Sequence, residues 1–219
     1  LGIKHVVNDY AFILNPDVTL DNDAINEIMN ASKILDSFGI LAPISNKTEY
    51  PNYKLDTKTK FDTLKPFNVK SVDGYAMLLN LKRLKQIPNF NFFDENFFLY
   101  FEEIDLCRNI IKRNGKIYIC SNIVIDHDGA SSVDSKNKLS LEKNRNWHWM
   151  WSTFYYHKKH NGFLIALLNI LPKLFTSLAK IFFFSVTFNN EKKEIYKSRF
   201  NGIMNSIQGK KSWYRPTLD

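Results

Sequence analysis

Phe90 to Cys107 reads FNFFDENFFLYFEEIDLC, and the rest of the chain makes most sense as its support. Three carboxylates, Glu102, Glu103 and Asp105, stand within four positions directly after a run holding six phenylalanines and a tyrosine. A helix from about Phe98 to Asn114 puts Glu102 and Asp105 on one face at i, i+3, with Glu103 about 100° round from Glu102. Apolar surroundings raise a carboxyl pKa, which suits a general base near neutral pH. Taken alone, the same spacing describes an amphipathic helix whose acids face water, the commoner use of a charged cluster. The flanking chain decides between the two.

Downstream, Gly115 stands where a helix-ending C′ glycine is expected. Lys116 to Ile125 then reads as a strand that runs directly into Asp126-His127-Asp128-Gly129. Upstream, Ser71 to Leu79 reads as a strand carrying Gly74, and Lys82 to Gln86 as a short helix cut by Pro88. Further back, Val6, Val7 and Tyr10 to Leu14 form a short buried strand that ends at Asn15-Pro16-Asp17. Asp21 to Phe38 has Ile25, Ile28, Met29, Ala31, Ile34 and Leu35 at helical spacing, with Asp21 or Asp23 as N-cap. Gly39 stops this helix, and Ile40 to Pro43 makes another strand. Strand, helix, strand at this pitch predicts an α/β layer with parallel pairing. Residues 45 to 70 are polar and weakly periodic, a long surface loop with one edge strand.

The 44% apolar and 15% aromatic composition excludes disorder for most of the 219 residues. Residues 1 to 142 hold 17 Lys and Arg against 19 Asp and Glu, whereas 143 to 219 hold 13 against 3. The basic character therefore belongs to the C-terminal third. That charge is attached to the most apolar segment and no recognition motif accompanies it, which argues against nucleic acid as partner. Cys107 and Cys120 lie in apolar stretches without metal spacing and read as reduced core thiols.

Asn15-Pro16-Asp17 by itself is an ordinary turn, and a lone histidine at a strand end is more often structural than a ligand. Their order is more informative. The chain reads FILNPDVTL, then VDGYAMLLNLKRL, then FDENFFLYFEEIDLCRNIIKRNGKIYI, then VIDHDGASS. This succession resembles the family-2-type glycosyltransferases of GT-A fold, in particular the bacterial rhamnosyltransferase-like branch. There an N-P-D-V turn stands for the D-x-D metal motif, and a G-x-x-M-L-L strand leads to F-D-E-x-F-F-L-Y-x-E-D-x-D-L-C-x-R. A later strand ends in histidine followed by glycine and serine. The match covers residues 1 to about 160, and the ending GIMNSIQGKKSWYRP is similar to the family's G-x-x-x-x-x-x-G-K tail.

The resemblance implies a Rossmann-like mixed sheet flanked by helices, from 1 to 142, with a helical basic and apolar tail from 143 to 219. It also implies that the first strand-helix units, with their V-x-Y-N and D-N-x-S segments, are missing, since Leu1-Gly2-Ile3 resembles residues inside the nucleotide-binding half. Asp17 and Asn15 take the places of the metal turn, and His127 that of the histidine near metal and diphosphate, with Mg²⁺ or Mn²⁺ as the ion. Glu103 falls where the family has the aspartate that serves as catalytic base, one methylene longer here. Glu102 matches the first acid of that pair, and Asp105 the later acid with a structural or acceptor-orienting part. Asp73, Gly74, Tyr100 and Arg108 fall in the same blocks and are the expected substrate-binding positions. The implied reaction is an inverting transfer from a nucleoside-diphosphate sugar, rhamnose in this branch, to a glycan or lipid-linked acceptor in cell-surface polysaccharide synthesis. The alternative is a catalytically silent membrane-associated scaffold of the same fold.

Phe163 to Phe188 is the most apolar segment, interrupted by Pro172, Lys173 and Lys180. Asn169, Lys173, Thr176, Ser177 and Lys180 recur at three- and four-residue steps, one narrow polar stripe on an apolar helix. That pattern predicts a helix lying in a membrane interface, where the nearby lysines meet anionic headgroups. The expected location is peripheral, on the cytoplasmic face of the inner membrane. The rival is packing of the same helix against the domain or a second copy. Helices are also expected from Asn144 to His160 and from Glu191 to Gln208.

Overall fold

The computed structural model describes residues 2–21, 23–35, 37–47, 49–55, 65–127 and 137–215. The chain forms two compact units, residues 1–93 with 103–131, and residues 94–102 with 132–219.

The first unit is α/β around a mixed, open sheet of seven strands, the coarse architecture expected from the sequence. After a 3-10 turn at Gly2–His5 come β1 (Tyr10–Leu14), β2 (Val18–Leu20), α1 (Ala24–Ile34), β3 (Ile40–Ser45) and β4 (Tyr53–Leu55). They are followed by β5 (Phe67–Val72), β6 (Ala76–Asn80), α2 (Leu81–Leu84), α3 (Glu102–Lys112) and β7 (Ile117–His127). The strand order is β1-β6-β3-β7-β5-β4, with β2 pairing the far end of β7. Only β3 and β7 run parallel; the other pairings are antiparallel, so the predicted parallel layer holds at the centre alone.

The centre is buried on both faces. Ile40, Ala42, Met77, Leu79, Ile117 and Ile119 pack with Leu81 and Leu84 of α2 and with Leu106, Cys107 and Ile110 of α3. The alternate residues Leu41, Leu78 and Cys120 face Ala24, Ile28 and Ala31 of α1 on the other side. This period-two division of continuous apolar runs is what a doubly covered sheet requires. Both cysteines are free and buried, and burial pushes each thiol up to about 12.

Four expectations change in detail. The stretch expected as one strand from Ser71 to Leu79 is two: β5 pairs with β7 and β4, while β6 lies across the sheet between β1 and β3. Asp73-Gly74-Tyr75 is the bend between them. The polar stretch from 45 to 70 contains β4 and the start of β5, while its residues 56–64 lie outside the described part. The acidic helix begins at Glu102 instead of Phe98, because Tyr100 and Phe101 hold φ of 68° and 73°. At its end the left-handed residue is Asn114, with φ 57°. Gly115 serves close approach instead: a Cβ there would stand 2.5 Å from Ile110 Cγ2 and 3.0 Å from the Ile110 carbonyl oxygen.

The second unit is built on α4 (Lys138–Asn161), α5 (Phe163–Val186) and α6 (Asn190–Ile207). Met150, Phe154, Ala166, Ile170 and Ile203 form its core. Gly202 lets α6 approach α4 closely, since a Cβ there would lie 2.3 Å from the Trp147 carbonyl oxygen. Ser206 donates to the Trp151 carbonyl at 2.9 Å across the same contact. His148 is fully buried between the Ser212 hydroxyl and the Tyr214 carbonyl, each at 2.8 Å, and so ties down the end of the chain. The segment 94–102 folds with these helices. Asp94 accepts from Lys159 at 2.8 Å and from the Tyr155 hydroxyl at 2.9 Å, and Ser152 donates to the Leu99 carbonyl at 3.0 Å.

Candidate functional site

The antiparallel register of β2 on β7 sets Val18 opposite His127. Asp17, one residue earlier, is thereby brought to the imidazole, and His127 Nε2 lies 3.3 Å from Asp17 Oδ2. The N-P-D turn is closed by the Val18 N–H donating to the Asn15 carbonyl at 3.3 Å. The Asn15 N–H in turn donates to the Tyr75 carbonyl at 2.8 Å. The closeness of Asp17 and His127, two of the three expected metal residues, follows from hydrogen-bond register, which links residues 110 positions apart.

The His127 ring is fixed on its flat side by Tyr75, with centroids 4.1 Å apart and planes 15° from parallel. Burial raises the Tyr75 phenol above its ordinary value, and the Ser45 hydroxyl, hydrogen-bonded to it, acts the other way. Lys47 donates its ammonium to the His127 backbone carbonyl. Asp73 is accessible at its tip, yet desolvation by the crowded bend pushes its carboxyl above the ordinary range, with Lys54 and His127 pulling it back.

Asn52 holds this bend in place. It is 1% exposed; its Oδ1 accepts from the Ser45 N–H at 3.0 Å and its Nδ2 donates to the Pro43 carbonyl at 2.9 Å. Its own carbonyl accepts from the Asp73 N–H at 2.8 Å. One buried amide thus joins the end of β3 to the β5–β6 bend, as buried polar groups in a low dielectric must be paired.

Glu103 meets the bend from α3. A Cβ on Gly74 would stand 3.1 Å from Glu103 Cβ and 3.4 Å from Cγ, so the glycine is the surface on which that side chain rests. Asp105 is 1% exposed on the inner face of α3 and accepts from Asn109 Nδ2 at 3.2 Å. Arg108, three residues on, is half-buried.

The structure therefore links Asp17, His127, Asp73, Gly74 and Glu103 in the first unit: Asp17 pairs with His127, Tyr75 of the Asp73-Gly74-Tyr75 bend stacks on His127, and Gly74 lies against Glu103. Glu102 and Tyr100 belong to the second unit. There Tyr100 and Phe101 hold their strained φ values, a cost of about 1 kcal/mol or more each, through ring contacts. Tyr100 packs on Trp149 at 5.2 Å, and Phe101 on Trp149 at 5.4 Å and on Tyr156 at 5.3 Å. Glu102 is half-buried, burial raises its carboxyl pKa, and its Oε2 has no hydrogen-bond partner among the described residues. Of the three acids Glu102 and Glu103 are half-buried and Asp105 is buried.

Sequence reading missed Asn52, Tyr75, Ser45 and Lys47. Tyr75 had a signal, being next to Gly74 in the quoted block; the other three lie in or beside a polar stretch without periodicity.

Asp17 and His127 offer one carboxylate and one imidazole. No group of three His, Cys, Asp or Glu side chains suited to a metal exists among the described residues. A carboxylate and an imidazole are donors of the kind a divalent ion accepts, and these two would supply only part of its coordination. No protein-family model matches the chain, and no curated protein matches it.

Proposed function

We propose that the protein is a GT-A-type inverting glycosyltransferase that moves a sugar from a nucleoside-diphosphate donor to a glycan or lipid-linked acceptor in cell-surface polysaccharide synthesis. The observation that carries the reading is the grouping of Asp17, His127 and Asp73 at strand ends and turns, with Glu103 reaching the same bend from the start of α3; ligands bind beside strand ends in open α/β sheets. Rhamnose is the sugar that the sequence resemblance favours.

Glu103 accepts the proton of the acceptor hydroxyl as its oxygen bonds to the anomeric carbon; the bond to the diphosphate oxygen breaks on the opposite face. General-base help of this kind contributes about 10²- to 10⁴-fold in rate. Gly74 sets the position of the base, and the Tyr75 ring and the Lys47 ammonium orient His127. Asp17 and His127, with Asn15 in the same turn, would be the residues to hold a Mg²⁺ or Mn²⁺ ion, which when bound would supply positive charge against the leaving diphosphate.

The second unit meets the cytoplasmic face of the membrane through α5. Among the described residues this is the one helix long and apolar enough to cross a bilayer. Leu164, Leu168, Phe175 and Phe182 stand 64 to 73% exposed along it. The polar stripe of Asn169, Lys173, Thr176 and Lys180 is exposed too, while Ser177 turns inward and donates to the Lys173 carbonyl. A wide apolar face with lysines suits a helix lying in the interface.

Acceptor-dependent release of nucleoside diphosphate from a panel of sugar donors tests the reaction. Asp17→Ala is expected to lower it about a hundredfold or more, consistent with loss of several kcal/mol of charge stabilisation; equal release by wild type and Asp17→Ala contradicts the metal assignment. Co-sedimentation with vesicles of anionic lipid tests the surface, with binding expected for wild type and loss in a Leu164→Ser, Leu168→Ser, Phe182→Ser variant. Absence of wild-type binding contradicts the interfacial helix.

A further inference from the structure

The second unit contains a cleft of about 300 Å³ lined by Tyr100, Arg145, Asn146, Trp149 and Arg199. Two guanidinium groups reach it from different helices, Arg145 from α4 and Arg199 from α6. Arg199 is half-buried, and its Nη1 donates to the neutral Asn146 Oδ1 at 2.9 Å. Among the described residues no carboxylate lies within ion-pair distance of it. A half-buried charge is ordinarily paired, so this cation is short of an anion. Arg145 is only loosely engaged, with Glu142 Oε1 at 3.8 Å and 38% of its side chain exposed. Each guanidinium carries five N–H donors in a planar fork matched to phosphate or carboxylate.

The wall beside the cations is aromatic. Trp149 is 43% exposed, and Tyr100 packs edge to face against it. Tyr100 holds its left-handed φ of 68° at this spot, and backbone strain of this kind gathers at functional sites. An exposed indole gives an apolar plane for the C–H face of a sugar ring, and the phenol adds a hydrogen-bonding edge. The volume is at the small end for ligand pockets, room for one sugar ring with its charged substituent.

We infer that the Arg145–Arg199 cleft binds a sugar bearing a phosphate or carboxylate, with the anion between the two guanidinium groups and the ring against Trp149. This rests on the glycosyltransferase reading in taking that sugar as part of the acceptor glycan, and it specifies the acceptor as anionic.

Binding is measured by isothermal titration calorimetry on the full chain without donor, so that turnover plays no part. The probes are glucose 6-phosphate, methyl glucuronide, neutral methyl glucoside and inorganic phosphate. Saturable binding is expected for at least one of the two anionic sugars, weaker at high salt. Arg199→Gln is expected to weaken it about 10- to 100-fold, the range for a charged hydrogen-bond partner, with Arg199→Lys retaining part of the affinity. Trp149→Ala also weakens it, and Asn30→Ala, at an exposed position of α1 in the first unit, leaves it unchanged. Circular dichroism checks that each variant is folded; should Arg199→Gln unfold, Arg145→Gln replaces it. No binding of either anionic sugar, equal binding of methyl glucoside or of inorganic phosphate, or full affinity in a folded arginine-to-glutamine variant overturns the inference. Binding as expected together with inactive donor turnover would overturn the transferase reading and leave the cleft standing.

Discussion

Replacing Gly202 by alanine tests the closest helix contact in the second unit. The added Cβ would lie 2.3 Å from the Trp147 carbonyl oxygen and 3.1 Å from its carbon, whereas a relaxed C···O contact is about 3.3 Å or more. Backbone cannot swing aside as a side chain can, so α6 must retreat from α4 by about 1 Å, the difference between those contacts. The 2.9 Å bonds from Ser206 to the Trp151 carbonyl and from Arg199 to Asn146 would stretch out of range. Overpacking costs about 1 to 3 kcal/mol and a lost hydrogen bond about 1. Alanine returns about 1 kcal/mol through helix propensity. The net loss is about 3 kcal/mol, which at an m-value of about 1 kcal/mol/M lowers the urea midpoint by about 3 M. All four tryptophans, at 147, 149, 151 and 213, lie in this unit, so their fluorescence during urea unfolding reports on it directly. Asn201→Ala, exposed on the same helix, should stay within about 0.5 kcal/mol of wild type. A Gly202→Ala midpoint equal to or above that of wild type would refute the close approach.

Asn52→Ala is expected to destabilise the first unit by about 2 to 4 kcal/mol, since it strands the buried Ser45 N–H and Pro43 carbonyl; urea unfolding followed by circular dichroism measures it. An effect under about 0.5 kcal/mol, the level of a surface change, would show that Asn52 is not the tie it appears in the geometry. Glu102 carries a pH dependence whose sign is fixed by burial. Its folded pKa is raised above the ordinary 4.5, so below that value both states are protonated and no penalty exists. As pH rises through 4.5 the unfolded chain ionises first, and stability falls until the folded carboxyl ionises too. Glu102→Gln should therefore match wild type in acid and exceed it at neutral pH; a constant difference across pH 4 to 8 would contradict the burial.

The elements carried by periodicity were legible. Ile28 and Ala31 fall on the buried face of α1, and the runs Ile40–Ala42 and Met77–Leu79 split between the two faces of the sheet as a period of two requires. What periodicity does not encode is a change of neighbour. Val72 and Ala76 both read as strand residues, and nothing local says that the chain crosses from the β7 side to the β1 side between them. The same holds for the helix start, because Tyr100 and Phe101 have no intrinsic preference for positive φ and are held there by Trp149 and Tyr156, some 50 residues away. Asp17 and His127 were each weak signals until their order was considered, and a register between β2 and β7 is what joins them. Asn52, Arg145 and Arg199 left no local trace, since their parts depend on long-range partners.

Glu103 as the base is the central claim, and the most direct measurement is single-turnover sugar transfer by the full-length protein in wild type and Glu103→Gln, with donor affinity measured alongside. Proton acceptance by Glu103 predicts a rate about 10² to 10⁴ lower in the variant, with donor affinity within a fewfold. Transfer by Glu103→Gln at the wild-type rate would contradict it.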